Sequence, residues 1–161
     1  MLALRILDLK DFTAKLFIGE MFQHFSFVEA SFTTFVTYTL DGQLHKEFFD
    51  SEQCPDRMYC LWEDVQAQCF SMIRGKRTPL NFKIVFQLSA SNVEKLLMQS
   101  GVPLKAEDIY GLYLNCQFDG KQLLCTTGTS LKIFILDKQL DRVWDEMIRK
   151  FFRKNQIAFE E

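Results

Sequence analysis

Leu40-Asp41-Gly42-Gln43 and Phe118-Asp119-Gly120-Lys121 are the two stretches on which the reading of this chain turns. Each carries Asp-Gly, the strongest short signal for a two-residue hairpin, because both turn residues must tolerate positive φ. They lie 78 residues apart (119 − 41). Carrying that offset forward without a gap sets Val65 on Val143, Cys69 on Met147, Phe70 on Ile148, Ile73 on Phe151 and Lys76 on Lys154. Carrying it backward sets Leu4-Arg5-Ile6-Leu7 on Phe82-Lys83-Ile84-Val85. Few letters are identical, so the match lies in pattern. It predicts a chain of two repeats, residues 2–76 and 80–154, related by an approximate twofold within one domain spanning 1–161.

Working outward, each half reads as β-α-β-β-(β)-α. Leu2 to Leu7 alternates as a strand. Asp8 or Asp11 caps a helix through Phe12, Leu16 and Phe17 that ends at Gly19. Phe25 to Leu40 is rich in Phe, Val and Thr and reads as one long strand, with Gln43 to Phe49 returning after Asp41-Gly42. Asp50 to Pro55 is a polar loop, and Met58 to Leu61 a short strand or a lead-in. Trp62 to Ile73 is a helix with Trp62, Val65, Cys69 and Ile73 on one face. Arg74 to Pro79 is the joint. In the second half Leu80 to Leu88 is a strand, and Ser91 or Asn92 caps a helix closed by Gly101. Ile109 to Phe118 and Lys121 to Thr127 flank the second hairpin. Leu131 to Leu136 is a further strand, and Lys138 to Phe152 a helix with Leu140, Val143, Met147 and Phe151 stacked. The expected fold class is α+β: a curved, mainly antiparallel sheet with helices on one face. By topology alone it is similar to halves of the TATA-binding-protein fold and of sliding-clamp domains.

Composition narrows the classes. Hydrophobic residues make up 48% and charged residues 25%, the balance of a soluble globular domain. Seventeen Phe supply core, each contributing roughly 1.5–3 kcal/mol when buried. The net charge of −2 gives no global field toward nucleic acid or anionic lipid, so such binding needs a local patch. No run approaches the ~20 apolar residues of a membrane span, and the charged N-terminus is not a secretory signal. Five scattered cysteines read as reduced thiols of a cytoplasmic protein.

No catalytic constellation stands out. Cys54, Cys60 and Cys69 lack the paired spacing of a zinc site, and nothing forces His24 or His45 to join them. No phosphate loop occurs. Neither a metal nor a cofactor is expected. Cys125-Thr126-Thr127-Gly128-Thr129-Ser130 could line a pocket, or simply run from a strand into a turn.

Two basic clusters occupy equivalent places in the repeat: Arg74, Lys76 and Arg77 after the first long helix, and Arg149, Lys150, Arg153 and Lys154 at the end of the second. They could form two symmetric phosphate contacts, or complement the negative ends of two helices. Phe48-Phe49, placed on a strand, would put rings on opposite faces, one of them free to meet a partner.

Met1-Leu2-Ala3-Leu4-Arg5-Ile6, Lys10-Asp11-Phe12, Val28-Glu29-Ala30-Ser31-Phe32-Thr33-Thr34-Phe35 and Leu40-Asp41-Gly42, with the Trp62 helix and the Arg74-Gly75-Lys76 joint, resemble a family of short Clostridia-type bacterial proteins of unknown function. The resemblance implies a cytoplasmic bacterial protein and no particular activity. The reading is a non-enzymatic binding module that uses its sheet surface or its paired basic helix ends. Its expected partner is a protein, with nucleic acid second and no membrane. The alternative is a small-molecule-binding protein or enzyme with a pocket between sheet and helices.

Overall fold

Alternation, interrupted by bulges at Phe27–Glu29 and Ile109–Gly111, builds a sheet with one mainly apolar and one mainly polar face. The computed structural model describes residues 1–50 and 52–161. In chain order its elements are β1 (Ala3–Ile6), α1 (Leu9–Phe17), β2 (Ser26–Thr33), β3 (Thr37–Asp41), α2 (Trp62–Ile73), β4 (Asn81–Gln87), α3 (Ala90–Ser100), β5 (Ile109–Phe118), β6 (Leu123–Leu131), α4 (Gln139–Lys154) and β7 (Phe159–Glu160). The strands form one antiparallel sheet in the order β3-β2-β4-β5-β6-β1-β7. Register aligns Phe32, Phe82, Phe118 and Leu123 across it, and one layer on Ala30, Ile84, Cys116, Cys125 and Leu4. All nine of these side chains are buried, on strands whose alternate residues turn away. The opposite face carries Ser31, Lys83, Gln117, Leu124, Arg5 and Glu160 in one row. Period-two patterning is enough to sort the two faces.

Helices α1, α2 and α4 lay aromatic side chains on the apolar face. Asp8 caps α1, its Oδ1 accepting from the Asp11 amide at 3.0 Å. Phe12 of α1 meets Phe22 and Phe152 of α4, and the Phe22 ring stacks on Phe86 at 5.1 Å. Trp62 of α2 packs edge-on against Phe86 at 5.2 Å. Both buried indoles find acceptors, Trp62 Nε1 at Leu16 O (2.8 Å) and Trp144 Nε1 at Tyr113 O (2.9 Å). That removes the cost of burying an N–H. Gln66 fastens α2 to the end of α1, donating to Leu16 O and Gly19 O while accepting from Gln23 Nε2. Helix α3 contacts the short 3-10 turn Ala106–Asp108.

The element order β-α-β-β-α does recur in both halves. The pairing does not repeat. β4 sits beside its own hairpin, between β2 and β5, whereas β1 lies between β6 and β7 and never touches β2. The approximate twofold is therefore not expressed in the strand order. The two Asp-Gly pairs explain how the offset misled. Asp119-Gly120 forms the β5–β6 hairpin as expected, with Gly120 at φ +98 and Asp119 Oδ1 accepting from the amides of Lys121 and Gln122. Asp41-Gly42 instead closes β3. The expected strand Phe25 to Leu40 folds back at Thr34-Phe35-Val36, where Thr34 N donates to Val36 O at 2.9 Å. Asp41 still accepts from Gln43 N, at 2.8 Å. Gly42, however, is needed for a close approach and not for positive φ: a Cβ there would lie 1.9 Å from Phe27 O.

Three further expectations are corrected. Gln43 to Phe49 is not a return strand; it holds one isolated bridge, Gln43 to Tyr59, and a 3-10 turn at Lys46–Phe48. Of the polar loop from Asp50 to Pro55, Ser51 lies outside the described residues. Leu131 to Leu136 is not a separate strand, since β6 continues to Leu131 and the following residues leave Phe134 and Leu136 exposed. The buried stripe of α4 is Leu140, Trp144, Ile148 and Phe152, one residue on from the expected Val143, Met147 and Phe151, which are only half-buried. Likewise Val65 and Ile73 of α2 are half-buried, and Gln66 takes the inner position between Trp62 and Cys69. Trp144 has the largest side chain on α4 and sets the rotation, because burying it outweighs burying Val143. Ile148→Asp is thus expected to cost several kcal/mol and Val143→Asp clearly less. Urea melts giving the opposite ranking would show that the helix is rotated.

Candidate functional site

The residues between α2 and β4 project from one end of the sheet. Arg74 ends α2, its amide donating to Phe70 O at 2.9 Å. Lys76 and Arg77 follow, exposed. None of the three cations forms an ion pair among the described residues. Grooves flank the segment on both sides. One, of about 550 Å³, runs against α1 at Leu9, Lys10 and Thr13. The other, of about 580 Å³, runs against the β2–β3 hairpin at Thr34, Phe35 and Tyr38. Phe35 at the hairpin tip is 88% exposed, and Leu80 beside it 63%. Both values are high for large apolar side chains.

The second basic cluster is built differently. Arg149 pairs with Glu146 at 3.3 Å and with Glu161 at 2.8 Å. Its hydrogen bond to Glu161 raises its pKa, and the same contact lowers that of Glu161. The Arg153 guanidinium lies 5.9 Å from the Phe159 ring centroid. These two cations hold the C-terminal strand segment in place. Lys150 and Lys154 are exposed. Arg153 and Lys154 sit in the last turn of α4, where cations complement the carbonyl end of a helix. The last turn of α2 holds no cation, and Lys76 and Arg77 lie two and three residues beyond its cap. That attraction falls off within a turn, so it accounts for the α4 cluster and leaves Lys76 and Arg77 without a structural role. None of the described grooves is lined by both clusters.

Phe48 and Phe49 lie in and beside the 3-10 turn, their rings edge-to-face at 5.6 Å. Phe48 is exposed and Phe49 half-buried, but neither is on a strand and neither lines a groove beside Arg74–Thr78. The stretch from Cys125 to Ser130 is spent on docking α4. Thr127 Oγ1 accepts from Leu2 N at 2.9 Å and donates to Asp145, and Thr129 donates to Asp141. Among the described residues no three His, Cys, Asp or Glu side chains converge as metal ligands. Burial pushes the Cys69 thiol up to about 12 and raises that of Cys60. Cys116 and Cys125 face each other across the β5–β6 ladder with sulfurs 3.6 Å apart.

A third cleft, of about 360 Å³, lies between α3, β5 and the segment around Tyr59. It holds Tyr113, whose pKa is raised by burial, and Gln87, whose Nε2 donates to Tyr110 O at 3.0 Å. Gln87 Oε1 has no partner but is shut off from solvent, so a ligand entering the cleft would not reach it without movement.

Sequence reasoning found the basic segment and missed the apolar wall beside it. Phe35 reads as one more strand residue in Phe25 to Leu40, and nothing in Thr34-Phe35-Val36 has turn chemistry. The signal is absent from the local letters.

A model of a family of unknown function, DUF5721, matches residues 15–160, and the chain belongs to that family. No curated protein and no solved structure matches it.

Proposed function

We propose that this member of the DUF5721 family is a non-catalytic binding module that holds an anionic partner at the Arg74–Thr78 end of its sheet. One observation carries the reading: Lys76 and Arg77 are exposed cations beside two grooves, with no ion pair among the described residues and no helix end to complement. Cations committed to structure, such as Arg149, are paired. The polar face of the sheet is a weaker contact surface, since its central row is made of mixed polar and charged side chains and lacks an exposed aromatic. The paired-cluster geometry is set aside, because Arg149 and Arg153 are occupied within the chain. A small-ligand site at the Tyr113 cleft gains less support, since the unpartnered Gln87 Oε1 beside it is inaccessible. We place the protein in the cytoplasm, a reading the five free thiols support. Among the described residues no helix is long and apolar enough to cross a membrane.

Chromatography on immobilised heparin is the direct check. The protein should be retained at low salt, and Lys76→Glu with Arg77→Glu should abolish retention. Lys150→Glu with Lys154→Glu should elute like the parent. Equal elution of all three would remove the Arg74–Thr78 end from consideration.

A further inference from the structure

We infer that the anionic partner is a single-stranded nucleic acid, with a base laid against Phe35 and the phosphates on Arg74, Lys76 and Arg77; this rests on the reading of the basic end above. The groove of about 580 Å³ is two-sided. One wall is the cationic segment. The other carries Phe35, Tyr38 and Leu80, and Ser71, Met72 and Ile73 at the end of α2 also line the groove. Its size falls in the ~300–1,000 Å³ span of ligand-holding pockets.

A single strand matches both walls at once. It brings regularly spaced negative charge and, alternating with it, flat π-faces that stack on aromatic rings whatever the base. An acidic protein segment would use the cations and leave the exposed ring of Phe35 idle. A duplex would hide its base faces inside the stack, and the net charge of −2 gives no broad field to hold a rigid rod. Phe35 belongs to a short hairpin tip, so its ring stands clear of the core and is open to a base without rearrangement. The open end of the sheet thus joins a stacking platform to a set of phosphate contacts.

Fluorescence anisotropy with a short mixed-sequence oligonucleotide tests this, using RNA and DNA, each single-stranded and annealed to its complement. Three phosphate contacts at about −0.7 each give a salt slope near −2, so affinity should fall about fourfold per doubling of salt. Lys76→Glu with Arg77→Glu should flatten that slope to roughly that of one contact. Phe35→Ala should weaken binding about fivefold or more while leaving the slope unchanged, since a stack carries no charge. Both variants sit on exposed residues and should keep the parent melting temperature. Duplex bound as tightly as single strand, or Phe35→Ala without effect, overturns the inference. Suppose instead that a polyglutamate peptide binds and depends on Lys76 and Arg77, while the oligonucleotides do not bind. Then the nucleic-acid partner is wrong and the anionic binding module stands. If heparin, polyglutamate and oligonucleotides all fail to bind, both readings fall.

Discussion

Gly42→Ala is expected to destabilise the protein by about 3 kcal/mol or more, at or beyond the upper end of ordinary overpacking. The added methyl would fall 1.9 Å from Phe27 O and 2.7 Å from the Phe27 ring. The obstacle is backbone, which cannot turn aside as a side-chain tip can. Relief would mean parting the segment from β2. Gly42 N donates to Val28 O and Gly42 O accepts from Cys60 N, both at 2.9 Å, so both bonds would strain. Phe27 itself is fully buried against Trp62, so the disturbance runs into the core. Gly128→Ala is the control. Nothing lies within 4 Å of the position a Cβ would take there, and the change should stay within about 0.5 kcal/mol. Similar urea midpoints for the two variants would show that residue 42 does not approach β2 so closely.

Trp62→Ala should cost about 3–5 kcal/mol, the range for truncating a buried aromatic. Trp62 is wholly inaccessible and meets Phe17, Phe27 and Phe86 from three elements. Trp62→Phe should cost much less, about 1–2 kcal/mol. Its reason is specific to this site. Leu16 O accepts from both Trp62 Nε1 and Gln66 Nε2, so losing the indole N–H still leaves that carbonyl satisfied. Gln66→Ala added to Trp62→Phe should then cost more than the two single changes together, since the second loss orphans Leu16 O. Strict additivity in denaturant melts would count against the shared acceptor.

The same pair of residues shows where local patterning is informative. Trp62 to Ile73 reads as a helix from its spacing, and the helix has those bounds. The α1 cap at Asp8, the alternation of β4 and the Asp119-Gly120 hairpin are legible for the same reason: each depends on neighbours within a few residues. Gln66 is not legible. A polar residue at an inner helical position looks like an error until the carbonyls of Leu16 and Gly19 are brought beside it. Asp41-Gly42 fails in the opposite direction. Its letters are those of a hairpin, yet β2 turns earlier, at Thr34 to Val36, and the glycine is kept for a contact with Phe27.

What the sequence by itself determined is the α+β class, the β-α-β-β-α order of the second half and the presence of a basic segment at Arg74, Lys76 and Arg77. Period, capping and charge are local properties, and local physics reads them. Tertiary structure alone decided that β4 lies between β2 and β5 while β1 is carried to the far side of β6. It also decided that α4 turns its Trp144 face inward, and that Phe35 stands beside the cations. Each of these is a choice among long-range pairings of similar apolar strands and helix faces. Such choices are settled by which arrangement buries the largest side chains together, and no window of neighbouring residues contains that comparison.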